Sequence, residues 1–398
     1  MLARLPQPGI AEPPAREERE DLLTRMKSHY AALVLAALGF GASSLQAAAM
    51  PAPRLGGVHP VAAVHRAGIA GGAAVVGHLH HIVTIGSTVD PQNGDQNPYG
   101  LMIAPSTSGL LTQGDLVVCN FNDNLNIQGL GTTIVFLHPT PGASPQRFVQ
   151  DGRLTGCNAL ATSPGDAPWA AAFTANDNPF YDSTGNLIAN LAGAPLAQPW
   201  GQAFSGTKGP YGVAAFYTAN AADGSIVRFG IRQNSITMKA IASGFPVNHG
   251  VPGTALAPSG LTYDASDDTL YFADGDVNAV YAFHNVSLIP PHGITVGNNG
   301  RTFSAVAGSL AEMVFHGSPL GAPISMAQLF NGNLVIGNTT NNDLIELNPA
   351  RHAVVSMRNL DHHAVGALFG IAATGTSASN TQIFFNDDND NTVKVLQP

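Results

Sequence analysis

Residues 258–283 read PSGLTYDASDDTLYFADGDVNAVYAF, and the fold turns on how this stretch is parsed. A short apolar strand, 260–263, follows Pro-Ser-Gly. An Asp/Ser turn leads to a second strand, 269–273 (TLYFA), and the loop DGDVN leads to a third, 279–283. β-Branched and aromatic runs bounded by Gly, Asp and Asn are the mark of antiparallel strands joined by tight turns.

The unit recurs. ISMAQLF, NLVIGN, TTNNDL and IELN follow one another in 324–348, and GALFGIAAT, QIFFN, DDNDNT and VKVLQ in 366–397. NPYGLMIAP, GDLVVCNFND and GTTIVFL occupy 97–137, and QPWGQAF, YGVAAFYTAN, AADGS and IVRFGI occupy 198–231. Small antiparallel sheets repeating at this scale predict an all-β chain folded as a six-bladed β-propeller. The expected blades are 97–150, 154–195, 198–243, 257–308 (with TFSAV as outer strand), 323–359 and 366–398. The last shows three strands before the chain stops, so 81–89 (HIVTIGSTV) is expected to supply its fourth and close the ring, which removes exposed strand edges.

This grammar resembles the NHL-type repeat of six-bladed propellers, in which a Pro-x-Gly-Leu strand precedes a Leu-Tyr-Val-Ala-Asp…Asn hairpin. It is also similar to a set of secreted bacterial propellers of poorly defined activity, through Gly94–Gly100 (GDQNPYG) and Asn120–Ile134 (NFNDNLNIQGLGTTI). The resemblance covers 81–398 and implies fold more than activity.

The remainder of the chain divides simply. Residues 1–25 are polar and charged. From Met26 a short basic start, an apolar run over 31–40 and small residues to 47–49 have the layout of a signal peptide, so 1–49 is expected to be an extension plus leader starting at Met26. Residues 50–80 are expected to be a linker and 81–398 the propeller. The expected location is periplasmic or secreted, with no transmembrane span in the mature chain. In an exported protein Cys119 and Cys157 are candidates for one disulfide; two small buried side chains is the alternative. With 26 acidic against 17 basic residues, and no basic patch with interleaved aromatics, a nucleic-acid partner is not expected.

In a propeller the loop between the second and third strands and the connection entering the first strand share one face. That gathers the Asn/Asp loops, including Asn122 and Asp123, Asp274 and Asp276, Asn341, and Asp387 and Asp388. Oxygen ligands suit a hard cation such as Ca²⁺ or Mg²⁺, with Asp274, Asp387 and Asp388 as candidates. The competing reading is that Asn and Asp simply make turns. The residues entering the first strands, Tyr99, Trp200, Ser259, Ser325 and Phe369, would point at the channel mouth, either to stack on a ligand or to plug it. Gluconolactonase-type propellers hold a metal with Glu, Asn and Asp at these entries, and this chain departs from that pattern. Streptogramin-lyase-like propellers use a His and a Glu with a divalent cation. The equivalent candidates here are His316 and Glu312, expected in an insertion before blade five; Glu346 falls inside a strand. No GxSxG, phosphate loop, CxxC or HExxH is present. The expected function is a module that binds a small molecule, glycan or protein through Tyr99, Trp200, Ser259, Phe369, Asn122, Asp123, Asp276 and Asn341. A metal-dependent lyase or hydrolase is the alternative.

Overall fold

The computed structural model describes residues 72–165 and 167–398. They form six sheets, each built on four antiparallel strands, around a central channel. The innermost strands are Gln96–Ile103, Cys157–Thr162, Pro199–Ser205, Pro258–Asp264, Pro323–Gln328 and Leu368–Thr374. Each packs against the innermost strands of both neighbours, and the last meets the first, so the ring is a closed propeller. Closure uses the N-terminal strand: His81–Ser87 pairs antiparallel with Thr392–Gln397, from His81 opposite Gln397 to Ser87 opposite Thr392.

Period-2 alternation explains where the cores lie. The middle strands of each sheet are buried on both faces, as in Leu116–Asn122 and Ala214–Asn220, because a neighbouring blade covers each face. Outer strands such as Ser235–Ser243 alternate between exposed and covered.

Blade four differs from expectation. Its outer strand is Leu310–His316, laid against Ala279–His284. TFSAV does contain a strand, Thr302–Ala305, but this forms a hairpin with Ile294–Gly297 that docks on the outer edge of blade three, Ala242 beside Ile294. Burial of Ile294 and Val296 against Ile241, Ala242 and Phe245 drives the move.

All six inner strands carry a register irregularity near their start, between Pro98 and Gly100 in blade one and at the corresponding place in the others. This aligns three rings around the channel. Nearest the mouth stand Tyr99, Asn158, Trp200, Ser259, Ile324 and Phe369. Below them is a ring of small residues, Gly100, Ala159, Gly201, Gly260, Ser325 and Gly370, then Leu101, Leu160, Gln202, Leu261, Met326 and Ile371. The small ring is set by close approach: a Cβ on Gly260 would lie 2.6 Å from the Ser325 Cα.

Candidate functional site

The mouth is plugged. Tyr99 lies stacked between Phe121 (4.1 Å) and Phe369 (3.7 Å). Phe121 meets Phe173 edge-on, and Phe173 meets Trp200 at 89°. These rings bring blades six, one, two and three together, with Ile324 from blade five joining their cluster. Tyr99 and Trp200 are buried, so they fill the entrance rather than face a ligand in solution. Two loops cover them. Gln128, on the blade-one loop, accepts from the Tyr99 hydroxyl at 3.4 Å. A Cβ on Gly253, on the connector into blade four, would meet that same Gln128 side chain at 2.9 Å. Burial pushes the Tyr99 hydroxyl well above its ordinary pKa, and the carboxylate of Asp388 adds to this. Ser259 is buried at the same level, its hydroxyl 3.5 Å from the Pro323 carbonyl.

The Asn/Asp loops join blades to one another. Asn176 Oδ1 accepts from Gln198 N at 2.7 Å and Asn278 Oδ1 from Ala322 N at 2.6 Å. Asn342 Oδ1 accepts from Gly366 N and Ala367 N, and Asn391 Oδ1 from Asn97 N. In each case an Asn with left-handed φ on one blade holds the chain entering the next. A second series sits at the ends of the second strands. Asn220 binds Ala197 N and Pro195 O, and Asn338 binds Gly321 N and Pro319 O. Turn chemistry, doubled as inter-blade joinery, accounts for these amides.

The residues expected to bind a ligand or metal fall into this scheme. Asn122 is buried, donating to Asn126 and accepting from Gly129 N. Asp123 Oδ1 accepts from Leu125 N and Ile127 N. Asn341 accepts from Asp343 N, and Asp276 donates its N–H to Asp274. Asp387 pairs with Lys394 at 2.7 Å; burial nonetheless raises its pKa. Asp388 lies beside Asn97, whose amide, turned with its nitrogen toward the carboxylate, donates to Asp388 and accepts from Asn122. Burial, with the Asp387 charge alongside, pushes Asp388 up to about 7. Asp274 is wholly buried and also raised by burial to about 7. Among the described residues no three His, Cys, Asp or Glu side chains converge as a cation cage requires.

His316 and Glu312 are on the outermost strand of blade four, not in an insertion before blade five and not at the channel. Glu312 meets His284 Nε2 at 2.9 Å and His352 at 3.8 Å, while His316 faces Arg301. An outer strand at 302–306 would leave 310–316 outside the sheet; instead 310–316 takes that edge. Glu346 has a different role. Its buried carboxylate accepts from Val75 N (2.9 and 2.8 Å), Val76 N (2.8 Å) and Asn333 Nδ2 (2.7 Å), anchoring the chain just ahead of the closing strand. Residues 72–80, within the segment read as a linker, therefore lie on the propeller, with Val75, Val76 and Leu79 in the core between blades five and six. His78 and His80 sit here and are exposed. Cys119 and Cys157 are disulfide-bonded across blades one and two, with Cα atoms 5.7 Å apart. The expected leader, 26–49, lies outside the described residues; among those described, no helix is long and apolar enough to cross a membrane.

Within the rings lies a cavity of about 80 Å³, lined by all their members except Ser259. Toward the opposite face Ile103, Thr162, Phe204, Thr262, Gln328 and Ala372, on the same innermost strands, are part-exposed. Asn158 and Gln202, which line this cavity, were not singled out from the sequence. Aligning the small residues Gly100, Ala159 and Gly201 would have found both.

No known family model matches the sequence, and no curated protein matches it. Solved structures do share its shape. A protein of unknown function from Bacteroides thetaiotaomicron is 11% identical, with a TM-score of 0.52 over 79% of this chain and 75% of that one. Virginiamycin B lyase from Staphylococcus aureus is 16% identical (TM-score 0.48; 80% of this chain, 98% of that one). A putative gluconolactonase is 10% identical (TM-score 0.48; 77% and 89%). At 11% identity the first of these speaks to the fold alone, and the fold is the six-bladed propeller that the sheets themselves form.

Proposed function

We propose that this protein is an exported binding module that takes its partner on the Asn/Asp loop face. The observation that carries the reading is a set of apolar side chains displayed there on braced loops. Leu125, 75% exposed, stands with Ile127 and Leu130 on the blade-one loop, and Val251, 67% exposed, on the connector that touches it. Asp123 and Asn122 fix that loop by accepting from Leu125, Ile127 and Gly129 N–H groups. Exposed aliphatics on a preorganised loop favour association, because little conformational entropy remains to be lost on docking. Export is supported by the Cys119–Cys157 disulfide and the leader-like stretch 26–49.

The test places a photo-crosslinking residue at Leu125 and, as control, at Met357 on the outer strand of blade five, 59% exposed. In the producing cell a discrete adduct is expected at 125 and none at 357. Adducts at neither position, or equally at both, overturn the reading.

A second reading, a divalent-metal-dependent lyase or hydrolase, draws support from Asp388, a rim carboxyl poised near pH 7 beside Tyr99. Elemental analysis of the purified full chain, with activity assays before and after chelation, separates the two.

A further inference from the structure

The cavity beneath the plug holds polar groups that the fold does not use. Asn158 (4% exposed) and Gln202 (6%) line it from the adjacent blades two and three, and Ser325 (4%) lines it from blade five. Neither amide atom of Asn158 or Gln202, nor the Ser325 hydroxyl, has a hydrogen-bond partner among the described residues. Asn178, on the third strand of blade two and wholly buried, is in the same condition. Leaving one such group unmet costs about 1–3 kcal/mol, so side chains of this kind are normally matched by something.

Position 202 sharpens the point. Its ring equivalents are Leu101, Leu160, Leu261, Met326 and Ile371, all apolar and packed between blades. A Leu at 202 would satisfy the fold, so the carboxamide is surplus to packing. Position 158 likewise carries an amide where the ring is otherwise mostly aromatic or aliphatic.

The chemistry of the lining limits what could be bound. No Lys, Arg, His, Asp or Glu lines the cavity, so a charged guest would be desolvated without a countercharge. The unmet atoms include donors and acceptors side by side, the pattern a carboxamide presents in return: one N–H₂ edge and one C=O edge. About 80 Å³ admits several waters or one molecule of acetamide size.

We propose that the wall shared by blades two and three is a binding site for a small uncharged carboxamide, held by the Asn158 and Gln202 amides. It stands apart from the loop-face reading and does not depend on it.

The experiment uses the full chain with acetamide as probe, and acetate and methylammonium as charged molecules of similar size. Ligand-observed NMR gives affinity, and crystals soaked in each probe give position. Acetamide is expected to bind in the cavity at least ten-fold more tightly than either ion. Gln202→Leu is expected to reduce that affinity ten-fold or more while unfolding cooperatively. Gln202→Met, which copies the residue found at position 326, serves if the Leu variant fails to fold. The proposal is overturned by equal binding of acetate, by undiminished acetamide binding in the folded variant, or by a cavity that holds only water at saturating acetamide.

Discussion

Two seams of the ring are built on different plans. Between blades five and six a buried carboxylate, Glu346, sits in an apolar cluster and receives three backbone contacts and an Asn side chain, while Arg358 donates to the carbonyls of Leu79 and His80. Between blades two and three the polar side chains Asn158, Asn178 and Gln202 are equally buried but meet no protein partner. The first seam uses polarity to fix one chain segment in one place, since a buried acceptor tolerates few alternatives. The second leaves its polarity available. Committed partners assign Glu346 to the structure; on the proposal above, missing ones assign Asn158 and Gln202 to a ligand.

Four measurements can break or sharpen this contrast. The largest effect is expected at the neighbouring seam of blades one and two. Replacing both Cys119 and Cys157 with Ser opens a 38-residue loop and should cost about 4 kcal/mol by chain entropy, read from denaturant unfolding. Retained stability would mean that aromatic packing alone holds these blades. Next, Glu346→Ala should cost about 3 kcal/mol, because it strands buried N–H groups of Val75 and Val76. Limited proteolysis should then cut ahead of His81, and full resistance would show that the anchor is dispensable.

Third, Asp274→Asn should stabilise on the order of 2 kcal/mol at pH 8 and have no effect near pH 3, given the usual rise of about 1.4 kcal/mol per pKa unit discounted for relaxation. The sign follows from the raised folded pKa, about 7 against 3.8. The folded state holds the proton more tightly, so the carboxyl contributes nothing unfavourable below about 3.8, and its cost grows as pH rises toward about 7. Asn120, Asn220 and Asn338 occupy the matching places in other blades, so the amide suits the site. Unfolding measured across pH 3–8 would refute this if the variant kept the wild-type slope over pH 4–7 beyond the part due to Asp388. The smallest effect is Gln202→Leu. Stability should change by less than about 1 kcal/mol, and toward gain, since an unmet amide is exchanged for apolar contact. A loss above about 2 kcal/mol would mean that the amide belongs to the fold after all.

Much of the site's scaffolding was legible in the sequence. Pro98, Pro199, Pro258 and Pro323 flag the strand entries, so Tyr99, Trp200 and Ser259 could be placed on one ring. Two entries escape this reading. Blade two enters with Cys157 in place of Pro, and its ring member Asn158 went unnoticed. In blade five, Ser325 was taken as the entry where Ile324 stands, one position off, because Pro-Ile-Ser offers no Gly to align with Gly260. Plugging of the mouth was foreseen as one of two outcomes. That the Asn/Asp loops bond to the next blade was not.

By itself the chain determined its blades, their number and the closing strand, because alternation and turn chemistry are written within a few consecutive residues. Only the tertiary structure decided that Glu346 would meet Val75, 271 positions away, that 294–305 would dock on blade three, and that Asn158 and Gln202 would face one cavity. Those outcomes depend on which surfaces ring closure brings together, and no local pattern carries that information.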